Sequence, residues 1–154
     1  MIDRNTILVL CEGNLCRSPI AAALLQAALG PEFTVASAGL SAREGLPAHP
    51  EAVRLASARR LDLSGHAARQ LTSAMALGAD LILVMDRVQK DRCEGLVPSA
   101  RGRVFLLGRW RRPAPFEIAD PYGRGPDAFL AAFEAIGQCV ADWVPHLLSE
   151  RRSA

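Results

Sequence analysis

The apolar run Thr6-Ile7-Leu8-Val9-Leu10 passes straight into Cys11-Glu12-Gly13-Asn14-Leu15-Cys16-Arg17-Ser18-Pro19, and from Ser18 to Leu29 the chain turns rich in Ala and Leu. A run that is apolar at almost every position reads as a strand buried on both faces, and a helix that follows after a short loop reads as half of a βαβ unit. This limits the chain to a parallel sheet covered by helices. It also places nine residues dense in chemistry at the carboxyl end of the first strand, where folds of this class bind ligands.

The rest of the chain continues the alternation. Strands are expected at 33–36, closed by Ser37-Ala38-Gly39, at 80–85 and at 104–107. Helices are expected at 51–60, after Pro50, at 72–77 and at 88–94. A Pro- and Gly-rich loop covers 113–126. Asp127 then caps a last helix whose Phe129, Phe133, Ile136, Val140, Trp143 and Leu147 fall at helical spacing, and Pro145 kinks or ends it. No repeat or linker divides the chain, so 1–154 is read as a single α/β domain of three layers, with a four-stranded parallel sheet between helices.

Each residue type in the loop has a physical reason to be there. Ser18 suits an N-cap and Pro19 a first helical position. The helix N-terminus then offers free N–H groups and a positive dipole end to an anion. Gly13 and Asn14 allow left-handed backbone, so the amides can turn inward as a nest for phosphate oxygens. Arg17, six residues after Cys11, can grip two of those oxygens with its planar fork. Cys11 lies on the floor of such a cradle, where amides, dipole and Arg17 favour thiolate over thiol and Ser18 can donate to the sulfur. This is an activated nucleophile facing an anionic electrophile. Such chemistry needs an acid for the leaving group, and Asp120, stiffened by Pro121 and followed by Tyr122, is the best candidate.

The Cys11–Pro19 loop, together with Ala119-Asp120-Pro121-Tyr122, resembles the low-molecular-weight protein tyrosine phosphatases. The likeness covers nearly the whole chain. Ser37-Ala38-Gly39 and Asp80–Met85 also look like family segments, while Gly65–Gln70 and Arg101–Gly108 are closest to the bacterial branch. The resemblance implies the phosphotyrosine phosphatase I-like fold and hydrolysis of phosphotyrosine through a phosphocysteine. It makes Cys11 the nucleophile, Arg17 the phosphate clamp and Asp120 the acid and later the base. Glu12, Gly13, Leu15 and Cys16 would line the phosphate loop. Asn14, Ser18 and Ser37 would hold its shape, Tyr122 would form a wall of the cleft, and Leu40 is a weaker candidate for the opposite wall. It implies no metal or other cofactor. Its substrate would be a phosphotyrosine protein, with a tyrosine autokinase of exopolysaccharide synthesis as the partner and an inorganic oxyanion as loop ligand. Cys16 reads either as a small residue packed under the loop or, as the family suggests, as a thiol that traps oxidised Cys11.

Composition excludes some classes and leaves two rivals. The net charge of +2 gives no reason to expect nucleic acid. The polar start and the lack of a long apolar stretch point to a cytoplasmic protein with no membrane insertion. The four cysteines, with no C-x-x-C and three scattered histidines, point away from both a disulfide framework and a zinc site. A thiol-dependent arsenate reductase shares this kind of loop but needs further cysteines to carry the disulfide outward. A non-catalytic phosphopeptide-binding module needs neither nucleophile nor acid. Glu12, next to the nucleophile, is expected to face solvent and to favour basic residues near the phosphotyrosine. His66 is read as structural, Trp110 and Trp143 as packing residues, and the cluster Arg101, Arg103, Arg109, Arg111 and Arg112 as solvated surface.

Overall fold

Strand β1 (Thr6–Cys11) runs through the middle of the molecule, and four of its residues, Ile7 to Leu10, are almost wholly buried. The computed structural model describes residues 5–152. After β1 come α1 (Arg17–Leu29), β2 (Thr34–Gly39), α2 (Pro50–Ala58), α3 (Ser73–Gly78), β3 (Leu81–Val84), α4 (Arg87–Leu96), β4 (Val104–Leu106) and α5 (Pro126–Arg152). The strands form one parallel sheet in the order β2-β1-β3-β4. The expected class and architecture are therefore found.

Burial on both faces explains the uninterrupted apolar strands. Val9 and Leu83 belong to the core that α1, α2 and α5 close with Leu25, Ile136 and Trp143. Leu8, Leu10, Ile82 and Val84 face a second core with Ala76, Cys93 and Val97 from α3, α4 and the turn after it. Chain order reverses direction across the sheet between β1 and β3, the switch point at which this topology leaves a crevice beyond the strand ends. Cys11 ends β1 at that crevice.

Several local expectations are corrected. Helix α1 begins at Arg17, with Cys16 at its N-cap and no side-chain cap bond, so Ser18 is not the cap and Pro19 is the third helical residue. The Ser18 hydroxyl is engaged elsewhere, as shown below. Strand β2 runs on through Ser37-Ala38-Gly39, because pairing with the central strand sets Cys11 opposite Gly39 and overrides the weak strand tendency of small residues. Asp127 lies inside the first turn of α5, and Pro145 does not end that helix, which continues to Arg152. Of the arginine cluster, Arg103 donates to the Ala76 and Ala79 carbonyls, Arg109 lies over the Phe105 and Trp110 rings, and Arg111 pairs with Asp142 at 2.8 Å. These three arginines brace the structure and are not merely solvated. Trp143 is buried and donates to the Leu107 carbonyl, while Trp110 stacks on His146.

Among the described residues, no helix is long and apolar enough to cross a membrane.

Candidate active site

The loop 11–17 is fixed mainly through its carbonyls. Leu40 N–H donates to the Cys11 carbonyl, Ser41 N–H to Glu12, His49 N–H to Leu15 and Ile20 N–H to Cys16. His66 Nε2 donates to the Asn14 carbonyl at 2.7 Å. A trans peptide sets its N–H opposite its C=O. Five carbonyls tied to the scaffold therefore turn the N–H groups of Glu12, Gly13, Leu15, Cys16 and Arg17 the other way. The loop is in this sense a nest of donors with no ligand required to shape it.

Asn14 makes the turn and locks it. Its φ is +58°, in the left-handed region, where Asn is among the few tolerated residues. Gly13, which was expected to share this task, has no such φ, and a Cβ there would meet only ordinary contacts. The fully buried Asn14 amide donates to Ser18 Oγ at 2.8 Å and to Ser37 Oγ at 2.9 Å, while its Oδ1 accepts from Arg69 N–H at 3.0 Å. One of those bonds decides another. With Asn14 donating to Ser18, the single hydroxyl proton of Ser18 is left for Cys11 Sγ at 2.9 Å or the Ala38 carbonyl at a long 3.5 Å. The shorter contact aims a donor at the sulfur.

Gly39 lets β2 pass directly beneath this loop. A Cβ on it would lie 2.8 Å from the Glu12 carbonyl oxygen and 3.1 Å from the Asn14 nitrogen. Arg69 and Gln70 support the same region from the next segment, Arg69 by donating to the Ser37 carbonyl and Gln70 by holding Leu40 and Ala42.

In front of the loop is a cavity of about 200 Å³ lined by Cys11, Glu12, Gly13, Leu15, Cys16, Arg17, Ser41, Arg43, Leu46, Asp120 and Tyr122. Residues from the first strand and from the loop before α5, distant in sequence, thus meet around one space. Asn14, Ser18 and Ser37 stand behind it as supports. Arg17 is almost fully buried, donates through Nη1 to the Ile118 carbonyl at 2.8 Å and faces Asp120 Oδ2 from Nη2 at 3.6 Å. Asp120 is half exposed, and its Oδ1 accepts from Tyr122 N–H. Tyr122 is exposed on the rim, edge-on to His49. Leu40 does not form the opposite wall: it is buried in the second core, and Ser41, Arg43 and Leu46 line the cavity instead.

Glu12 faces outward as expected, and its carboxylate is taken by Arg92 of α4 at 2.6 Å. Cys16 is a buried free thiol, pushed up to about 12 by burial and, secondarily, by the negative charges of Cys11 and Asp120, against the pull of Arg17. Cys93 and Cys139 are also free, and they lie in the cores on opposite faces of the sheet. Among the described residues no group of His, Cys, Asp and Glu is arranged to hold a metal ion.

Sequence reasoning missed the supports Arg69 and Ile118, the wall residues Ser41, Arg43 and Leu46, and the counter-charge Arg92. His66 and Arg69 lie in a segment whose likeness to the family was visible, but nothing local in the sequence points to Arg92.

The family described as low molecular weight phosphotyrosine protein phosphatase matches residues 6–153. A curated relative, the probable low molecular weight protein-tyrosine-phosphatase EpsP of Ralstonia nicotianae, is 46% identical over 143 residues, 93% of this chain and 96% of the relative. The tyrosine phosphatase Wzb from Escherichia coli K30, solved in complex with sulphate, superposes with a TM-score of 0.87 at 37% identity, covering 93% of this chain and 98% of that one. The YwlE arginine phosphatase from Geobacillus stearothermophilus superposes with a TM-score of 0.90 at 30% identity, covering 96% of each chain. With a matching model along almost its whole length and relatives this similar, the chain belongs to the low molecular weight phosphotyrosine protein phosphatase family.

Proposed function

We propose that the protein hydrolyses phosphotyrosine in other proteins, with Cys11 as nucleophile, Arg17 as phosphate clamp and Asp120 as acid and then base. The observation that carries this reading is the convergence of a thiol, a buried guanidinium and a half-exposed carboxylate on one small cavity. In the first step Cys11 sulfur attacks phosphorus, and Asp120 gives its proton to the departing phenolate oxygen. The inward amides of the loop and Arg17 hold the equatorial oxygens as charge shifts in the transition state. In the second step Asp120, now a carboxylate, takes a proton from water as that water attacks the phosphocysteine and frees Cys11. Ser18 donates to the sulfur as it leaves, and Asn14 and Ser37 keep Ser18 in place.

The side walls favour an aromatic substrate. Leu15, Leu46 and the Tyr122 ring supply apolar surface to flank a phenyl group. A relative is named an arginine phosphatase, so phosphoarginine is the competing substrate to test. Arsenate reduction with internal thiols is disfavoured because Cys93 and Cys139 are buried on opposite faces of the sheet. The physiological substrate is read, from family resemblance, as a tyrosine autokinase of exopolysaccharide synthesis. The oxyanion that the Wzb structure contains as sulphate is read here as the phosphate of that substrate. Four free thiols suit a reducing cytoplasm.

The test compares peptides carrying phosphotyrosine, phosphoserine or phosphoarginine, in metal-free buffer with reductant, using wild type, Cys11→Ser and Asp120→Asn. Turnover is expected with phosphotyrosine, abolished in Cys11→Ser and lowered at least a hundredfold in Asp120→Asn. A preference for phosphoarginine, or no turnover by folded wild type, overturns the reading.

A further inference from the structure

Glu12 presents a problem for the site just described. Glu12 lines the edge of the cavity one residue after Cys11, with its carboxylate turned outward to Arg92, and an unpaired negative charge there opposes a dianionic phosphate. The structure contains an answer from a distant element. Arg92, eighty residues on in sequence, reaches from α4 to Glu12 Oε2 through Nη1 at 2.6 Å and to Ser41 Oγ through Nη2 at 3.0 Å. Both partners line the cavity. Arg92 therefore ties the outer edge of the phosphate loop to Ser41, whose N–H already donates to the Glu12 carbonyl, and places a cation where the loop carries its one acidic side chain.

We propose that Arg92 is a positioning residue that cancels the Glu12 charge and so sets the affinity of the loop for phosphate. This deepens the proposed function and rests on it, because the dianion it concerns is the phosphoryl group held over Cys11. It also revises the expectation that Glu12 recruits basic substrate residues, since its charge is already matched within the molecule. The other charges around the same cavity are Arg17, Arg43 and Asp120, and the Glu12 carboxylate pairs with Arg92 rather than with either of those arginines. Asp86 and Glu117 line a second groove together with Arg92, Glu12, Arg17 and Asp120; there Asp86 accepts from Gln89 N–H and Glu117 from Arg87 N–H.

Because both side chains are partly exposed, solvent screening limits the effect, and one added or removed charge changes affinity for a dianion by about fivefold. The measurement is the dissociation constant of inorganic phosphate by calorimetry at low ionic strength, for wild type, Arg92→Gln, Glu12→Gln and the double variant. Arg92→Gln is expected to bind about fivefold more weakly, and Glu12→Gln, which frees the Arg92 charge, about fivefold more tightly. The double variant is expected to return to within about twofold of wild type, and all differences shrink at high salt. Unchanged binding in Arg92→Gln overturns the proposal. So does a double variant as weak as Arg92→Gln, which would make Arg92 only a mechanical brace on Ser41. Phosphate binding is read without turnover, so an inactive wild type would count against the phosphatase reading and leave the charge comparison standing.

Discussion

The guanidinium of Arg17 donates to the carbonyl oxygen of Ile118 across 2.8 Å, two residues before Asp120. The group that would grip phosphate is therefore also the one that holds the acid-bearing loop against the nucleophile. A Lys at this position keeps the charge but is a point donor on a flexible stem, unable to hold the carbonyl and two phosphate oxygens together. Arg17→Lys is expected to lower kcat/KM for a phosphotyrosine peptide by at least a hundredfold. A loss under tenfold in steady-state kinetics would mean that charge alone suffices.

Asn14 supplies three hydrogen bonds and a left-handed turn from one buried side chain. Asn14→Ala leaves Ser18, Ser37 and the Arg69 amide short of a partner. The expected cost is about 2–4 kcal/mol in urea denaturation. Turnover should fall as well, because Ser18 is no longer held toward Cys11. A variant with full activity and lowered stability would separate the two roles and refute the second.

Gly39→Ala places a methyl group against the backbone of the phosphate loop, at contact distances a folded chain does not sustain. The loop has to shift by several tenths of an ångström. Overpacking of this kind costs about 1–3 kcal/mol, and phosphate affinity should drop by at least tenfold, read by competition in the peptide assay. Gly65→Ala, at a position with open space around it, is the matched control and should leave phosphate affinity within twofold.

Burial pushes the thiols of Cys16 and Cys139 up to about 12 and about 11. In the unfolded chain they ionise near pH ~8.5, so between that pH and the folded values the native state binds more protons. Stability then falls as pH rises above about 8.5, and the loss continues until the folded values are reached. Urea melts at pH 7.5, 9 and 10 should show this decline, and Cys139→Ala, which removes a group remote from the cavity, should flatten part of it. A decline of identical slope in the variant would assign the effect to other groups.

How far the sequence foretold this molecule differs from element to element. The order of strands and helices was legible because strands buried on both faces are apolar throughout and Gly and Pro punctuate the helices. Cys11, Arg17, Asp120 and Tyr122 could be named because their chemistry is unusual in company with one another. The start of α1 is not legible because Ser18 looks like a cap, whereas its hydroxyl is committed to Cys11 and Asn14, a tertiary fact. The wall facing Tyr122 is formed by residues other than Leu40 because the path of the chain after β2 is set by Gln70, which donates to the Leu40 carbonyl and accepts from Ala42 N–H. Arg92 was invisible because its meaning lies wholly in a contact with a residue eighty positions away.

The outward carbonyls of the phosphate loop have a consequence for how the protein comes into being. The loop is only seven residues long, yet its shape depends on partners 52 and 55 residues downstream at His66 and Arg69, and Arg17 waits for Ile118, 101 residues on. A nascent or partly folded chain holds Cys11 in an unformed cradle. On the proposed reading, phosphate affinity arises only once these downstream segments have been made and packed, and recovery of phosphate binding during refolding is expected to report the last long-range contact to close rather than the first local turn to form.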